Sequence, residues 1–282
     1  MTRNILCIIA IALLAAVGCS NGNFNPSALP GIGKFLPGDT EHVVSAGKHL
    51  YTAQELSEDD EDELGQSVGV VLTNRYRVLH NDALTKYVTL VGLSVACTSQ
   101  RPDITYVFGI LDSPEINAFS GPNGYVFITK GALKNMQDEA ELAGVLAHEE
   151  SHVILHHGLN QVKAAERQAA ISDLVKSSPY GRFSAYADLA VDAITKTGYT
   201  QPQETEADSS AVDLMAAAGY NPGSYLNFLE RLEQLEPGSA AGSIMSTHPG
   251  TADRVANVKH VLMNVSSIGA TLPDRFHKNV KF

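Results

Sequence analysis

The chain has 282 residues, 44% of them hydrophobic and 18% charged, which is enough apolar material for a core and excludes wholesale disorder. Lys+Arg number 20 and Asp+Glu 31, so the formal net charge is −11, which argues against phosphate-backbone binding and hence against nucleic acid as a partner. Three cysteines, at Cys7, Cys19 and Cys97, are too few for a disulfide framework.

Met1 to Cys19 reads as an export signal. Arg3 supplies a positive start, and Ile5 to Val17 is an apolar run of 13 residues. A bilayer-crossing helix needs about 20, so the run suits a signal rather than a span. It ends in Ala16-Val17-Gly18-Cys19, which resembles the lipobox of bacterial lipoproteins. The resemblance implies removal of residues 1–18 and lipid on Cys19, with the chain attached to the cell envelope and facing the periplasm. Ser20 rather than Asp after the cysteine implies the outer membrane. Plain secretion with cleavage nearby is the alternative. Residues 19–52, rich in Gly, Pro and Asn, read as a tether, and 53–282 as the folded domain.

Ser57 opens a helix whose first turns carry Asp59 to Glu63. Acids are favoured at the positive end of the helix dipole, so this run reads as a solvated face rather than a cation site. Leu64, Val68, Val71 and Leu72 follow at helical spacing, and a second helix covers about Asp82 to Cys97, with Cys97 as a packing residue. Ile104 to Ile110, Ile116 to Phe119 and Gly124 to Thr129 read as a small antiparallel sheet. Beyond Ala132 the chain reads as helical, with breaks near Ser177 to Gly181, Gly198 to Pro202, Gly219 to Pro222 and Pro237 to Pro249. The fold class is therefore α+β, mainly helical, in one domain.

His148-Glu149-Glu150-Ser151-His152 is H-E-x-x-H. Asp138 can cap the helix that carries it, Glu141 stands at the capping-box position, and Gly158 is the expected stop. Leu142, Val145, Leu146, Val153 and Leu155 surround the circumference, which predicts a buried helix. Histidines four apart on one helical face bring two imidazoles to one ion, with Glu149 beside it. A catalytic zinc needs a third protein ligand and an open position. Leu155 and Gly158 exclude the class that takes a third histidine from H-E-x-x-H-x-x-G-x-x-H. The other class takes a glutamate from a later helix, and Gln203 to Asp208 opens one. Glu204 and Asp208 are four apart, so Glu204 can bind the metal while Asp208 accepts the free ring N–H of a histidine ligand. Glu206 points elsewhere.

Taken with Ile116 to Phe119, Gly124 to Phe127, Gly131 to Leu133, Gly219 to Pro222 and Ser246 to Pro249, these motifs resemble the HtpX-like and BepA-like zinc endopeptidases, relatives of the CAAX prenyl proteases. The likeness runs from about Glu55 to Val261, without HtpX-type membrane helices or a BepA-type helical-repeat domain. It implies a zincin-type domain holding one Zn2+ through His148, His152 and Glu204, with Glu149 as general base. It further implies that His248 can approach the zinc, either as a fourth ligand or as an oxyanion donor. Arg254, one turn into the helix that follows, reads either as positioning carbonyls or carboxylates near the site or as a surface residue. Substrates of zinc proteases often add as a strand to a sheet edge, so Gly124 to Thr129 reads either as such an edge or as an ordinary core strand. Glu150-Ser151 and His156 depart from the family's usual residues. The implied clients are unfolded or misassembled envelope proteins. A zinc-stabilised, chaperone-like binder held closed by His248 is the alternative.

Overall fold

The computed structural model describes residues 19–20, 23–24, 58–101, 104–161, 191–235, 247–265 and 268–282. The signal sequence at 1–18, nearly all of the tether and the domain start at 53–57 lie outside them. So do most of the Leu159 to Thr200 stretch, including the Ser177 to Gly181 break, and most of the Pro237 to Pro249 break.

Helix α1 spans Glu58–Tyr76 and α2 spans Asp82–Ala96. Strands β1 (Val107–Leu111), β2 (Ala118–Gly121) and β3 (Tyr125–Thr129) follow, then α3 (Lys130–Asn135) and α4 (Glu139–Ile154). The chain closes with α5 (Gln201–Ala217), α6 (Gly223–Leu235), α7 (Thr251–Leu262) and α8 (Pro273–Asn279). The class is α+β, as expected. Among the described residues no helix is long and apolar enough to cross a membrane.

The sheet is mixed, not wholly antiparallel. Its order is β1-β3-β2, with β1 parallel to β3 and β2 antiparallel to it. Alternating side chains say which residues share a face, but not which strand lies beside which. Here β2 and β3 form a tight pair across Pro122–Gly124, where Asn123 and Gly124 take positive φ, and β3 inserts between β1 and β2. Tyr125–Thr129 is thus the central strand, hydrogen-bonded on both sides, and cannot receive an added strand. The edge strand nearer the histidines is Ala118–Gly121.

Period-2 alternation divides the core between the two sheet faces. Phe108, Ile110, Val126 and Ile128 pack into the larger cluster with α2 and α4. Val107, Leu111, Tyr125 and Phe127 pack with Leu64, Val68 and Leu72 of α1. Burying each such side chain contributes roughly 1.5–3 kcal/mol. Cys97, just past α2, is half-buried rather than buried. The acidic start of α1 is not uniformly solvated either: Glu61 is buried and Asp62 holds Gln66, Asn123 and Tyr125.

Every residue of α4 from Glu139 to Val153 is buried, as the encircling apolar pattern predicts. Asp138 caps it, accepting the Glu141 N–H at 2.8 Å. Glu141 Oε2 accepts from Gln137 N–H, one residue before the capping-box position, and also takes Arg231. The helix stops at Ile154, earlier than Gly158. His156 fills the left-handed position after the cap at φ 55, a place usually taken by glycine and open to histidine at modest cost.

Candidate metal centre

Helix α4 carries His148 and His152 one turn apart, with their Nε2 atoms 3.1 Å from each other. Helix α5 lies against α4 and contributes Glu204 from its first turn. That helix starts sharply because Thr200 N–H donates to Gln203 Oε1 at 3.0 Å and Pro202 sits in the first turn. Buried Ala207 keeps the α5 face small between Glu204 and Asp208. Glu204 reaches His148 Nε2 at 3.4 Å and His152 Nε2 at 3.6 Å. The loop before α7 brings His248 to the same point: its Nδ1 is 3.0 Å from Glu204 Oε1 and 3.2 Å from His148 Nε2.

One donor atom from each of His148, His152, Glu204 and His248 lies within 4.8 Å of all the others, and all four residues are buried. Zinc bonds of 2.0–2.1 Å in a tetrahedron set the donors about 3.3 Å apart. The separations of 3.0 to 3.6 Å match that edge. Three ring nitrogens and a carboxylate cannot all satisfy one another by hydrogen bonds, and burying them unsatisfied is costly. The donor set therefore fits a divalent cation.

The surroundings fix these donors. His148 Nδ1 faces Asp208 Oδ1 at 2.9 Å, the role expected of Asp208. Arg254, buried in the first turn of α7, grips Asp208 with Nε at 3.0 Å and Nη2 at 2.8 Å. Its Nε also lies 3.4 Å from Glu204. Burial and the Arg254 guanidinium press the His148 pKa down, but Asp208 and Glu204 outweigh them and carry it up to about 9. Burial raises the Asp208 pKa, yet Arg254 and His148 hold it at about 2. Glu204 is likewise held well below the usual carboxylate range against its own burial, chiefly by His248 and Arg254. Burial, with His148 close by, keeps His152 neutral. Binding a cation thus requires His148 to give up its proton.

Glu149, one residue on from His148, is fully buried. Ser120 Oγ, on strand β2, donates to its Oε2 at 2.8 Å. Its Oε1 has no hydrogen-bond partner among the described residues and lies 3.4 Å from His248 Nε2. One oxygen is fixed and the other is an open acceptor beside the donor cluster.

Four contributors were not read from the sequence. Tyr225 on α6 donates to Asp208 at 2.7 Å and accepts from Arg254 at 2.7 Å; burial pushes its hydroxyl pKa well up, so it stays a donor. It reaches in because Gly144 leaves room: a Cβ there would meet the Tyr225 Cβ at 2.7 Å and its ring at 2.8 Å. His157 touches a candidate ligand, with its Nδ1 2.9 Å from that of His152, and Glu206 lies 3.5 Å from its other nitrogen. The Tyr199 ring stacks on His152, centroids 3.8 Å apart. Ser120 is the fourth. The glycine before Tyr220 and the match at Ile116 to Phe119 pointed near Tyr225 and Ser120, but no spacing identified either one. His80, His260 and His277 are exposed, away from the donor cluster.

A buried H-E-x-x-H helix with a glutamate donor from a following helix defines a metallopeptidase centre of the glutamate-ligand class. The chain belongs to peptidase family M48, whose model matches residues 82–262. It is 26% identical over 227 residues to the Beta-barrel assembly-enhancing protease of Escherichia coli, covering 77% of this chain and 45% of that one. It is 26% identical over 269 residues to Metalloprotease YcaL of Escherichia coli, covering 91% of this chain and 97% of that one. To Mitochondrial metalloendopeptidase OMA1 of Schizosaccharomyces pombe it is 28% identical over 179 residues, covering 63% and 53%. The chain spans about half the length of the beta-barrel assembly-enhancing proteases it matches.

Proposed function

We propose that this chain is a zinc-dependent endopeptidase that cuts unfolded or misassembled cell-envelope proteins, held to the envelope by lipid on Cys19. The observation that carries the catalytic part is Glu149: buried, with one oxygen anchored by Ser120 and the other an open acceptor beside four convergent donors. His148, His152 and Glu204 would hold one zinc. Zinc bound there supplies Lewis acidity, polarising a carbonyl oxygen and lowering the pKa of water toward ~7. Glu149 Oε1 takes the proton of the attacking water and returns it to the departing amide nitrogen. Asp208 and Arg254 keep the His148 ring oriented throughout. Ala118–Gly121, the outer strand of the sheet next to Glu149 though itself buried, is the strand to which an extended polypeptide recognised through its backbone would add. Envelope clients are supported by the name of the Escherichia coli relative, a beta-barrel assembly-enhancing protease, and the anchor by the Ala16 to Cys19 pattern. The test is hydrolysis of unfolded casein by the chain starting after Cys19, with chelator and with zinc restored. Loss and recovery of cleavage would support the reading, and cleavage indifferent to metal would oppose it.

One observation favours a second reading. His248 completes the donor set, and a site closed by four protein ligands has no position left for substrate. A closed, zinc-stabilised protein would bind clients without turning them over. On that reading His248→Ala gains proteolysis that the parent lacks; on the first reading the parent already cleaves.

A further inference from the structure

The two histidine donors of α4 have different partners on their outer nitrogens. His148 Nδ1 faces a buried carboxylate, Asp208, at 2.9 Å. His152 Nδ1 faces another imidazole, with Nδ1 of His157 at 2.9 Å, and both residues are buried. Five residues on in an unbroken helix, His157 would lie about 140° around the axis and about 7.5 Å along it from His152. The chain instead turns at His156, whose φ is 55, and a new helical stretch begins in which Asn160 N–H donates to the His156 carbonyl at 2.9 Å. That turn folds His157 back against His152. The other nitrogen of His157 leads outward: its Nε2 is 3.5 Å from Glu206 Oε2, on a side chain that is 61% exposed. Tyr199 lies against the His152 ring, 12° from parallel, and fixes the plane in which the ring sits.

We infer that His157 is a positioning residue for the metal, serving His152 as Asp208 serves His148, and that Glu206 holds His157 in the tautomer this needs. The inference rests on the reading of the four donors as a zinc site. His152 points Nε2 at the donor cluster, 3.1 Å from that of His148 and 3.6 Å from Glu204, so Nε2 is its metal-binding nitrogen. A neutral imidazole that binds through Nε2 carries its proton on Nδ1. Two neutral rings that meet Nδ1 to Nδ1 at 2.9 Å need one donor and one acceptor, so His152 donates and His157 accepts. The His157 proton then sits on Nε2, where the Glu206 carboxylate attracts it. Glu206, two residues after the Glu204 ligand, thereby acts on the metal through two imidazoles. An uncharged acceptor fixes the His152 ring without raising its basicity as far as a carboxylate raises that of His148.

The test reads zinc binding rather than turnover. His157→Leu, His157→Asn and Glu206→Gln are titrated with zinc against a chromophoric chelator, beside the parent chain. Asparagine carries an oxygen near the place of Nδ1, so it keeps the acceptor that leucine removes. His157→Leu is expected to bind zinc about 10–100-fold more weakly, and His157→Asn to recover most of that loss. Glu206→Gln, a change at an exposed side chain, is expected to weaken zinc about threefold while the melting temperature of the metal-free chain stays where it is. Histidine-ring nitrogen NMR of the zinc-loaded parent should show coupling between the Nδ1 atoms of His152 and His157 across their hydrogen bond, with the His157 proton on Nε2. Those spectra and Glu206→Gln decide the matter if His157→Leu does not fold. A proton on His157 Nδ1, zinc affinity unchanged in His157→Leu, or an equal loss in His157→Leu and His157→Asn would overturn the inference. The expected pattern in a parent that cleaves nothing would support it and count against the peptidase reading alone. A parent that binds no zinc would overturn the metal centre and its positioning residue together.

Discussion

Asp208 Oδ1 stands 2.9 Å from Nδ1 of His148, on the side of the ring opposite the nitrogen that faces Glu204 and His152. The contact fixes the tautomer a metal ligand needs, and Arg254 and Tyr225 hold the carboxylate in turn. Asp208→Asn is expected to weaken zinc binding about 10–100-fold, read by competition with a chromophoric chelator. Tyr225→Phe should shift zinc affinity the same way but less, because Arg254 still grips Asp208. Unchanged zinc affinity in Asp208→Asn would remove the orienting role.

Metal removal should unfold the domain at lower temperature as well as silence it. The four donors are buried and mutually crowded without a cation. With free zinc at about 1,000 times its Kd, stabilisation is about 4 kcal/mol, or roughly 8–16 °C in Tm for a domain of this size. Calorimetry with and without chelator reads this directly, and identical melting curves would mean that the cluster holds no metal.

Much of this centre was legible because it lies on helices. The spacing His148-x-x-x-His152 and Glu204-x-x-x-Asp208 fixes relative positions within each helix, and the apolar residues around α4 announce its burial. His248 needed the family resemblance, since a loop of that kind carries no periodicity, and helical position alone left Arg254 open between the site and the surface. Tyr225 and Ser120 were out of reach because only tertiary packing brings them in. Strand order failed for the same reason: β1, β2 and β3 were recognised one by one, but the insertion of β3 between the other two leaves no local mark. Glu61 was read as solvent-facing because a dipole argument gives the sign of charge a helix start prefers, not the direction each carboxylate faces.

Glu150, inside the H-E-x-x-H sequence, is fully buried, and neither of its carboxyl oxygens has a hydrogen-bond partner among the described residues. Burial alone pushes its pKa well up. An orphaned polar group of this kind costs about 1–3 kcal/mol. Glu150→Leu, close in volume, is expected to raise Tm by several degrees without loss of zinc. A lower Tm would show that the carboxyl has a partner.

Alkali should loosen the start of α4. Tyr87 and Tyr220 both donate to buried Glu139, at 2.9 and 2.8 Å, and Arg275 closes the group. Burial first, then Glu139, lifts the Tyr220 pKa to about 12, and Tyr87 also moves up. A phenol whose folded pKa is raised stabilises fully below its unfolded value of 10.0 and loses that contribution as pH climbs toward about 12. Denaturant midpoints should therefore fall between pH 10 and 12. Tyr220→Phe should be less stable at pH 8 yet flatter across that window, and an equally steep fall would assign the alkaline loss elsewhere.

The most direct test of the account is cleavage of unfolded casein by the zinc-loaded chain starting after Cys19, beside Glu149→Gln with zinc content measured on both. General-base assistance contributes about 10²–10⁴ in rate. The variant is expected to keep one zinc and to lose cleavage by at least a hundredfold. Equal cleavage by parent and variant at equal zinc would contradict Glu149 as the base, and silence from both at full zinc would leave the closed binding protein in its place.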